Sequence, residues 1–304
     1  MRSTAFLLAV LSAATTTLGA PRFKVATYNV ENYLIEASGT RIPKPDSHRA
    51  KVVETILAIR PDVIAFEEMG RTNSLLELQA RLKAGGLDLP HWEHVSGYDT
   101  NIFVAVLTRF PIVARHPHTN ESFLLDGRRF RTSRGFLEID LEPAPGYRFS
   151  LFSAHLKSKR SIANADEGDL REQEALLLRQ KVEERLKAKP NANILVCGDF
   201  NDTKDSKALR TLLGRNSRLP LVDTRPVERN GDKAPSENPR WEPRHVSWTH
   251  FYGKEDTYSR FDYILLSSGM AHEWRTEGSY LPVIPDWGVG SDHRPVVCEF
   301  EAQD

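Results

Sequence analysis

The chain has 304 residues, 40% of them hydrophobic and 27% charged, with 41 Lys plus Arg balancing 41 Asp plus Glu. This fits a globular protein with ample chain to bury a core. It excludes a global field for polyanions, so any nucleic-acid contact must come from a local basic patch. The two cysteines, Cys197 and Cys298, exclude a cysteine-built metal site; both sit in apolar runs and read as buried free thiols, a single bridge between neighbouring strands being the alternative.

In chain order, "MRSTAFLLAVLSAATTTLGA" carries Arg2, an apolar run from Ala5 to Leu11 and then small residues, with no acidic residue before Glu31. It reads as a secretory signal over 1–20, the apolar run being too short to span a bilayer; a buried N-terminal helix is the alternative. The signal reading predicts a secreted or periplasmic protein whose remaining domain is 21–304. "FKVATYNV" reads as a strand and "HRAKVVETILAIR" as an amphipathic helix with Val52, Val53, Ile56, Leu57 and Ile59 on one side. "PDVIAF" reads as a buried strand, "SLLELQARLKAGG" as a helix with a glycine stop, and "NIFVAVLTRFPI", "GFLEIDLE" and "YRFSLFSAHL" as strands. "DEGDLREQEALLLRQKVEERLKAK" predicts a long helix, acidic at its start and basic at its end. The strand "NILVCG" follows, turning at Gly198, then a helix near "SKALRTLLG" and strands at "FDYILLS" and "RPVVCEF". Residues 225–246 are Pro-rich and charged and read as a long surface loop. There is no internal repeat. Strands mix with helices and some strands follow one another directly, which predicts an α/β fold: a sandwich of two mixed β-sheets inside and helices outside.

Six segments place carboxylate, amide or imidazole at a strand end: Asn29 in "TYNVEN", Glu67 and Glu68 in "DVIAFEEM", His155 and Lys157 in "SAHLKSK", Asp199 and Asn201 in "GDFND", Asp262 in "RFDYILLS", and Asp292 and His293 in "SDH". Packed sheets bring such ends to one rim, where α/β proteins bind ligands. Carboxylates with an amide suit a hard cation such as Mg²⁺. A histidine opposite it stabilises charge on a phosphoryl oxygen, and a buried Asp positions or deprotonates a water. Asp292 and His293 are sequence neighbours whose side chains should diverge, so Asp262 is the better partner for the His293 imidazole. Glu67 should face away from Glu68 and reads as a structural carboxylate.

This set, in this order, resembles the endonuclease/exonuclease/phosphatase superfamily, the deoxyribonuclease I-like four-layer α/β/β/α sandwich, over nearly the whole chain. The "HLKSKR" form and the charged helix after it look like an exported bacterial branch. The resemblance implies metal ligation by Asn29, Glu68 and Asp292, with Mg²⁺ as the cofactor and Mn²⁺ or Ca²⁺ as substitutes. It implies phosphate contact by His155 and His293, a water-orienting or base role for Asp199, transition-state stabilisation by Asn201, and orientation of His293 by Asp262. Relatives of the deoxyribonuclease type pair the "SAH" histidine with a Glu; here "GYDTNIFVAVL" offers Asp99 or Asn101 instead. In "RRFRTSRG", Arg134 stands where the family often holds phosphate, and Lys157, Lys159 and Arg160 extend that patch. His245, Trp248 and His250 suit stacking on a base or capping a lipid, or packing the long loop onto the domain.

The expected function is metal-dependent phosphodiester hydrolysis by a nuclease acting on DNA or RNA as a monomer without a membrane span. The alternatives are a phosphatase or phospholipase, of inositol-phosphate or sphingomyelin type, and a non-catalytic phosphoester-binding protein.

Overall fold

Side-chain alternation along one strand sets the layering. In β1 (Arg22–Tyr33), Phe23 and Val25 face one apolar layer, while Ala26, Tyr28 and Val30 face another. A strand buried on both faces needs a partner layer on each side. The computed structural model describes residues 20–229 and 242–303 and supplies both layers.

After β1 come α1 (Asp46–Ile59), β2 (Val63–Met69), α2 (Thr72–Ala84), β3 (His91–Val95), β4 (Phe103–Thr108) and β5 (Ile112–Arg115). A short hairpin, β6 (Ser122–Leu125) and β7 (Arg128–Arg131), leads to β8 (Leu137–Ala144), β9 (Tyr147–His155), α3 (Glu167–Ala188), β10 (Ile194–Asp199) and α4 (Lys207–Leu213). The chain ends with β11 (Val222–Asp223), a second hairpin of β12 (His250–Tyr252) and β13 (Thr257–Ser259), β14 (Asp262–Leu266), α5 (Ser268–His272), β15 (Trp274–Tyr280) and β16 (Val296–Glu301).

Two six-stranded sheets form, ordered β15-β16-β1-β2-β4-β3 and β11-β14-β10-β9-β8-β5. Each is mixed: one parallel pair, β1 with β2 and β9 with β10, lies among antiparallel neighbours. Each parallel pair is joined through a helix, as parallel strands require. Phe23, Val25, Val104 and Phe300 of the first sheet meet Phe149, Leu151, Leu195 and Ile264 of the second in the central layer. On the outer faces, Val52, Ile56, Leu75 and Leu78 of α1 and α2 cover the first sheet, and Leu178, Val182, Leu209 and Leu212 of α3 and α4 cover the second. The four-layer α/β/β/α sandwich expected from the sequence is what forms. Cys197 and Cys298 are both buried free thiols in the central layer.

Several expectations change. The run "NIFVAVLTRFPI" is not one strand: it breaks at Arg109–Pro111, and β4 and β5 enter different sheets. β3 and both hairpins went unread, being short and half-exposed. The expected signal segment 1–20 lies outside the described residues except for Ala20, as do residues 230–241 of the expected long loop.

Gly198 is not a turn. It continues β10 with φ +133°, and an added Cβ would sit 2.0 Å from the Ala154 carbonyl oxygen on β9. The glycine lets two backbones approach beside the polar strand ends. Gly198→Ala is expected to cost about 3 kcal/mol in urea unfolding, from a disfavoured φ and a backbone clash together. A loss under about 1 kcal/mol would show that the strands can part there at little cost.

Candidate active site

The faces that build the central core end in polar groups of the same parity. Inward positions run Phe23, Val25, Thr27, Asn29 on β1 and Val63, Ala65, Glu67 on β2. They run Leu151, Ser153, His155 on β9, Leu195, Cys197, Asp199 on β10 and, in reverse, Leu266, Ile264, Asp262 on β14. Register aligns them: Asn29 pairs with Glu67, and Asp199 stands between His155 and Asp262. A period of two thus brings five predicted groups to one end of the layer between the sheets.

Asp199 is at the centre. Its Oδ1 accepts the Asn201 backbone N–H at 2.8 Å. Its Oδ2 accepts Asn29 Nδ2 at 3.0 Å and lies 3.4 Å from His155 Nε2 and 3.8 Å from His293 Nε2. His293 Nδ1 lies 2.8 Å from Asp262 Oδ2, while Asp292 Oδ1 is 4.0 Å from its Nε2, so Asp262 is the partner, as expected. Burial pushes the Asp199 carboxyl up to about 7, with the His293 charge pulling against it. For His293 burial opposes the charge, but Asp262 and Asp199 outweigh it and hold the imidazolium well above the usual range. His155 shifts the other way: burial, then Arg134 and His293, keep it neutral. Neighbouring histidines therefore hold opposite protonation states. No Glu, Asp99 or Asn101 holds the His155 ring; its Nδ1 is buried without a hydrogen-bond partner among the described residues. Glu67 is buried beneath this group, accepting from Thr27 Oγ1 at 2.9 Å and Ser153 Oγ at 3.4 Å. Burial, then Asp262, push its carboxyl well up.

Hydroxyls fix the last histidine. Ser291 Oγ donates to the Asn29 carbonyl at 2.7 Å and accepts the His293 N–H at 3.0 Å. Thr249 Oγ1 accepts the N–H groups of Phe261 and Asp262 at 3.0 and 3.1 Å. His250 packs between the Phe261 and His293 rings, at 5.1 and 4.6 Å, with Nε2 3.6 Å from Asp292 Oδ2. Burial works against the Asp292 charge, but His250 and His293 prevail and hold its carboxyl below the usual value.

The rim is acidic and its backbone unusual. Glu31, Asn32, Glu68 and Asn201 all adopt positive φ, and register shifts on both sides of β2 accompany the Glu68 conformation. Glu68 Oε2 accepts the Asn32 N–H at 3.1 Å, and Asn32 Oδ1 accepts from Arg41. Lys44 Nζ donates to the Glu31 carbonyl at 2.8 Å. Burial lowers the Lys44 ammonium while Glu31, Asp292 and Glu68 all pull it up, which places three acids around one amine. Glu68, Asp292, Glu31 and the Asn29 amide offer oxygen donors and no thiolate, and three crowded carboxylates fit a hard divalent cation. Among the described residues, the tightest acid and imidazole groups are His250, Asp292 and His293, and Asp199, Asp262 and His293, with one ligand atom of each within 4.8 Å of the others; Glu68 is in neither.

Two of the expected side chains bond to protein groups here. Asn201 Nδ2 donates to the Leu156 carbonyl at 3.0 Å and lies 3.4 Å from Asp199 Oδ2, so it braces Asp199. Lys157 Nζ donates to the Ser158 and Arg160 carbonyls at 3.0 and 2.8 Å, so it closes its own loop. Arg134 keeps its place as a phosphate candidate: it is 8% exposed, its Nε has no hydrogen-bond partner, and its nearest carboxylate, Asp99, is 3.9 Å away.

The family model for the endonuclease/exonuclease/phosphatase family matches residues 26–293. The chain belongs to that family. Endonuclease/exonuclease/phosphatase proteins are phosphoester hydrolases, and the polar strand ends lie inside the matched span. Three solved structures share the fold. The human Nocturnin catalytic domain with bound sulfate is 19% identical, with TM-score 0.62, over 93% of this chain and 96% of that one. Sphingomyelinase C from Streptomyces griseocarneus is 17% identical, with TM-score 0.61, over 92% and 100%. Truncated Caenorhabditis elegans TDP2 is 16% identical, with TM-score 0.60, over 92% and 98%. No curated protein matches the chain.

Sequence reasoning missed several groups in this family site. His250, expected only to stack or pack, also reaches Asp292. Trp248 does pack, against Tyr258, Trp287 and Arg294. Glu174, in the middle of α3, accepts the Ser133 and Lys157 backbone N–H groups at 2.7 and 2.6 Å and so braces the loops that carry Arg134 and follow His155. Arg171, one turn earlier, holds Asp202 of "GDFND" at 2.9 Å. The signal for both was their spacing with the apolar face of α3.

Proposed function

We propose that the chain is a divalent-cation-dependent phosphodiesterase that cuts nucleic acid by in-line attack of water on phosphorus. The observation that carries this reading is the buried set of Asp199, His293 and Asp262, in which a carboxyl poised near neutrality lies 3.8 Å from an imidazolium held by a second carboxylate.

In this reading Asp199 takes a proton from the attacking water as its oxygen bonds to phosphorus. The opposite P–O bond breaks, and the leaving oxygen takes a proton from solvent. Asn29 and Asn201 fix the Asp199 carboxylate through donated hydrogen bonds. At 3.8 Å the His293 Nε2–H is too far from Asp199 for a hydrogen bond and is available to a phosphoryl oxygen. His155, held neutral, and Arg134 contact the phosphate from the other side. Glu68, with Asp292 and Asn29, would hold Mg²⁺, or Mn²⁺ or Ca²⁺, which supplies Lewis-acid polarisation of a phosphoryl oxygen. Among the described residues no helix is long and apolar enough to cross a membrane. We further propose that the protein is exported and monomeric; the leader-like pattern of residues 1–20 supports export.

EDTA is expected to abolish hydrolysis of bis-p-nitrophenyl phosphate and Mg²⁺ or Mn²⁺ to restore it. Glu68→Gln is expected to raise the metal concentration for half-maximal rate by about tenfold or more. EDTA-resistant turnover would overturn the reading.

A further inference from the structure

Beside the site lies a basic cleft that meets it at Arg134 and extends beyond the groups assigned to the reaction. Its two lobes, of about 600 and 520 Å³, share Tyr98, Ser133 and Lys157. Arg41 and Arg134 stand at the lobe nearer the site, Arg160 at its edge, and Arg129 and Arg131 of β7 form the far wall. The cleft is continuous with the site through Arg41, which donates to Asn32 beside Glu68, and through Arg134, which stands in the field of His155.

Its charge is only partly compensated. Asp99 is 3.9 Å from Arg134, and the Glu174 carboxylate is spent on two backbone N–H groups. Among the described residues, no carboxylate lies within ion-pair distance of Arg129, Arg131 or Arg160, although the chain as a whole is neutral. Such a cluster is costly without an anion and draws phosphate. The Arg134 Nε, buried and without a hydrogen-bond partner, is an open donor in it. Tyr98 adds the second feature: it is 69% exposed, and the Arg131 guanidinium lies 5.7 Å from its ring centroid. An exposed aromatic face among arginines is the composition of a stacking platform for unpaired bases. A paired base keeps its face inside the duplex stack and cannot use it.

We infer that this cleft binds the single-stranded polynucleotide flanking the bond to be cut, with phosphodiesters on Arg131 and Arg160 and a base stacked on Tyr98. The inference rests on the phosphodiesterase reading for the strand's direction into the site, but its binding chemistry is separate and is tested separately.

The test is fluorescence anisotropy of a labelled single-stranded 12-mer and its duplex on the full chain in EDTA, across a salt series, with phosphatidylserine vesicles as a third probe. Hydrolysis of bis-p-nitrophenyl phosphate by the unaltered protein with Mg²⁺ reads the catalytic proposal independently. The single strand is expected to bind tighter than the duplex. The double variant Arg131→Ala/Arg160→Ala should lose about tenfold or more in affinity and flatten the salt slope by roughly 1.4. Tyr98→Ala should weaken the single strand by about tenfold, with Tyr98→Phe restoring it. All three side chains lie at the surface of the cleft, away from the core. Preference for duplex, preference for the vesicles, or variants that bind the single strand as the parent does would each overturn the inference. Single-strand binding without hydrolysis of the small diester would leave the cleft standing and overturn the catalytic reading alone.

Discussion

Asp199→Asn is expected to lower kcat for phosphodiester hydrolysis by about 10²–10⁴-fold while the protein stays folded. The side chain is isosteric, so the Asn201 N–H keeps an oxygen acceptor, but the amide takes no proton from water. The amide nitrogen that replaces Oδ2 cannot accept from Asn29 Nδ2, a loss that is the same at every pH, so the pH dependence carries the test. Burial raises the Asp199 carboxyl to about 7, above the value of about 3.9 for an unfolded chain. An acid raised on folding costs stability once it ionises: nothing below the unfolded value, and the full amount above the folded one. The Asn variant should therefore gain on the parent in urea unfolding as pH climbs from about 4 to about 7. Loss of rate with no such gain would mean that the carboxylate is stabilised in the fold, contrary to its burial.

His293→Ala is expected to lose both function and fold. Removing the imidazolium leaves Asp262 buried, with Oδ1 already lacking a hydrogen-bond partner and Oδ2 losing its own. Breaking a buried ion pair from one side costs about 3–5 kcal/mol, and losing a donor to the phosphoryl oxygen costs about 10²–10³ in kcat. The double variant His293→Ala/Asp262→Ala should be less destabilised than the sum of the single ones, because no charge is then stranded. The sign of the pH effect is opposite to that of Asp199. A histidine raised on folding contributes fully below its unfolded value of about 6.5, and the contribution fades as pH rises through the folded value. The stability gap between parent and His293→Ala should narrow in alkali, and additive losses in the double variant would contradict the pairing.

Much of the fold was legible because β1, β2, β9, β10 and β14 are apolar runs that stop at polar residues, and both features survive in one sequence. The same parity then carries Asn29, His155, Asp199 and Asp262 to one end of the central layer. What was illegible depends on single conformations or distant partners. Gly198 looks like a turn in sequence, and only the Ala154 carbonyl 2.0 Å from its missing Cβ explains it. Glu68 adopts a left-handed conformation that Glu seldom takes, which no alternation pattern signals. His250 belongs to a three-residue strand, too short for any periodic signal, and meets Asp292 only through the bridge to the last strand. Asn201 and Lys157 stand where the motifs placed them, yet they also donate to backbone carbonyls that no motif records.

In the proposed reaction Asp199 acts on a phosphodiester at this site. The most direct measurement sets a labelled single-stranded polynucleotide beside p-nitrophenyl phosphate and sphingomyelin, with Mg²⁺, for the parent and Asp199→Asn. The parent is expected to cut the strand and to leave the monoester and the lipid intact, and the variant to cut nothing at a comparable rate. Hydrolysis of the monoester or the lipid alone, or equal cutting of the strand by both proteins, would contradict it.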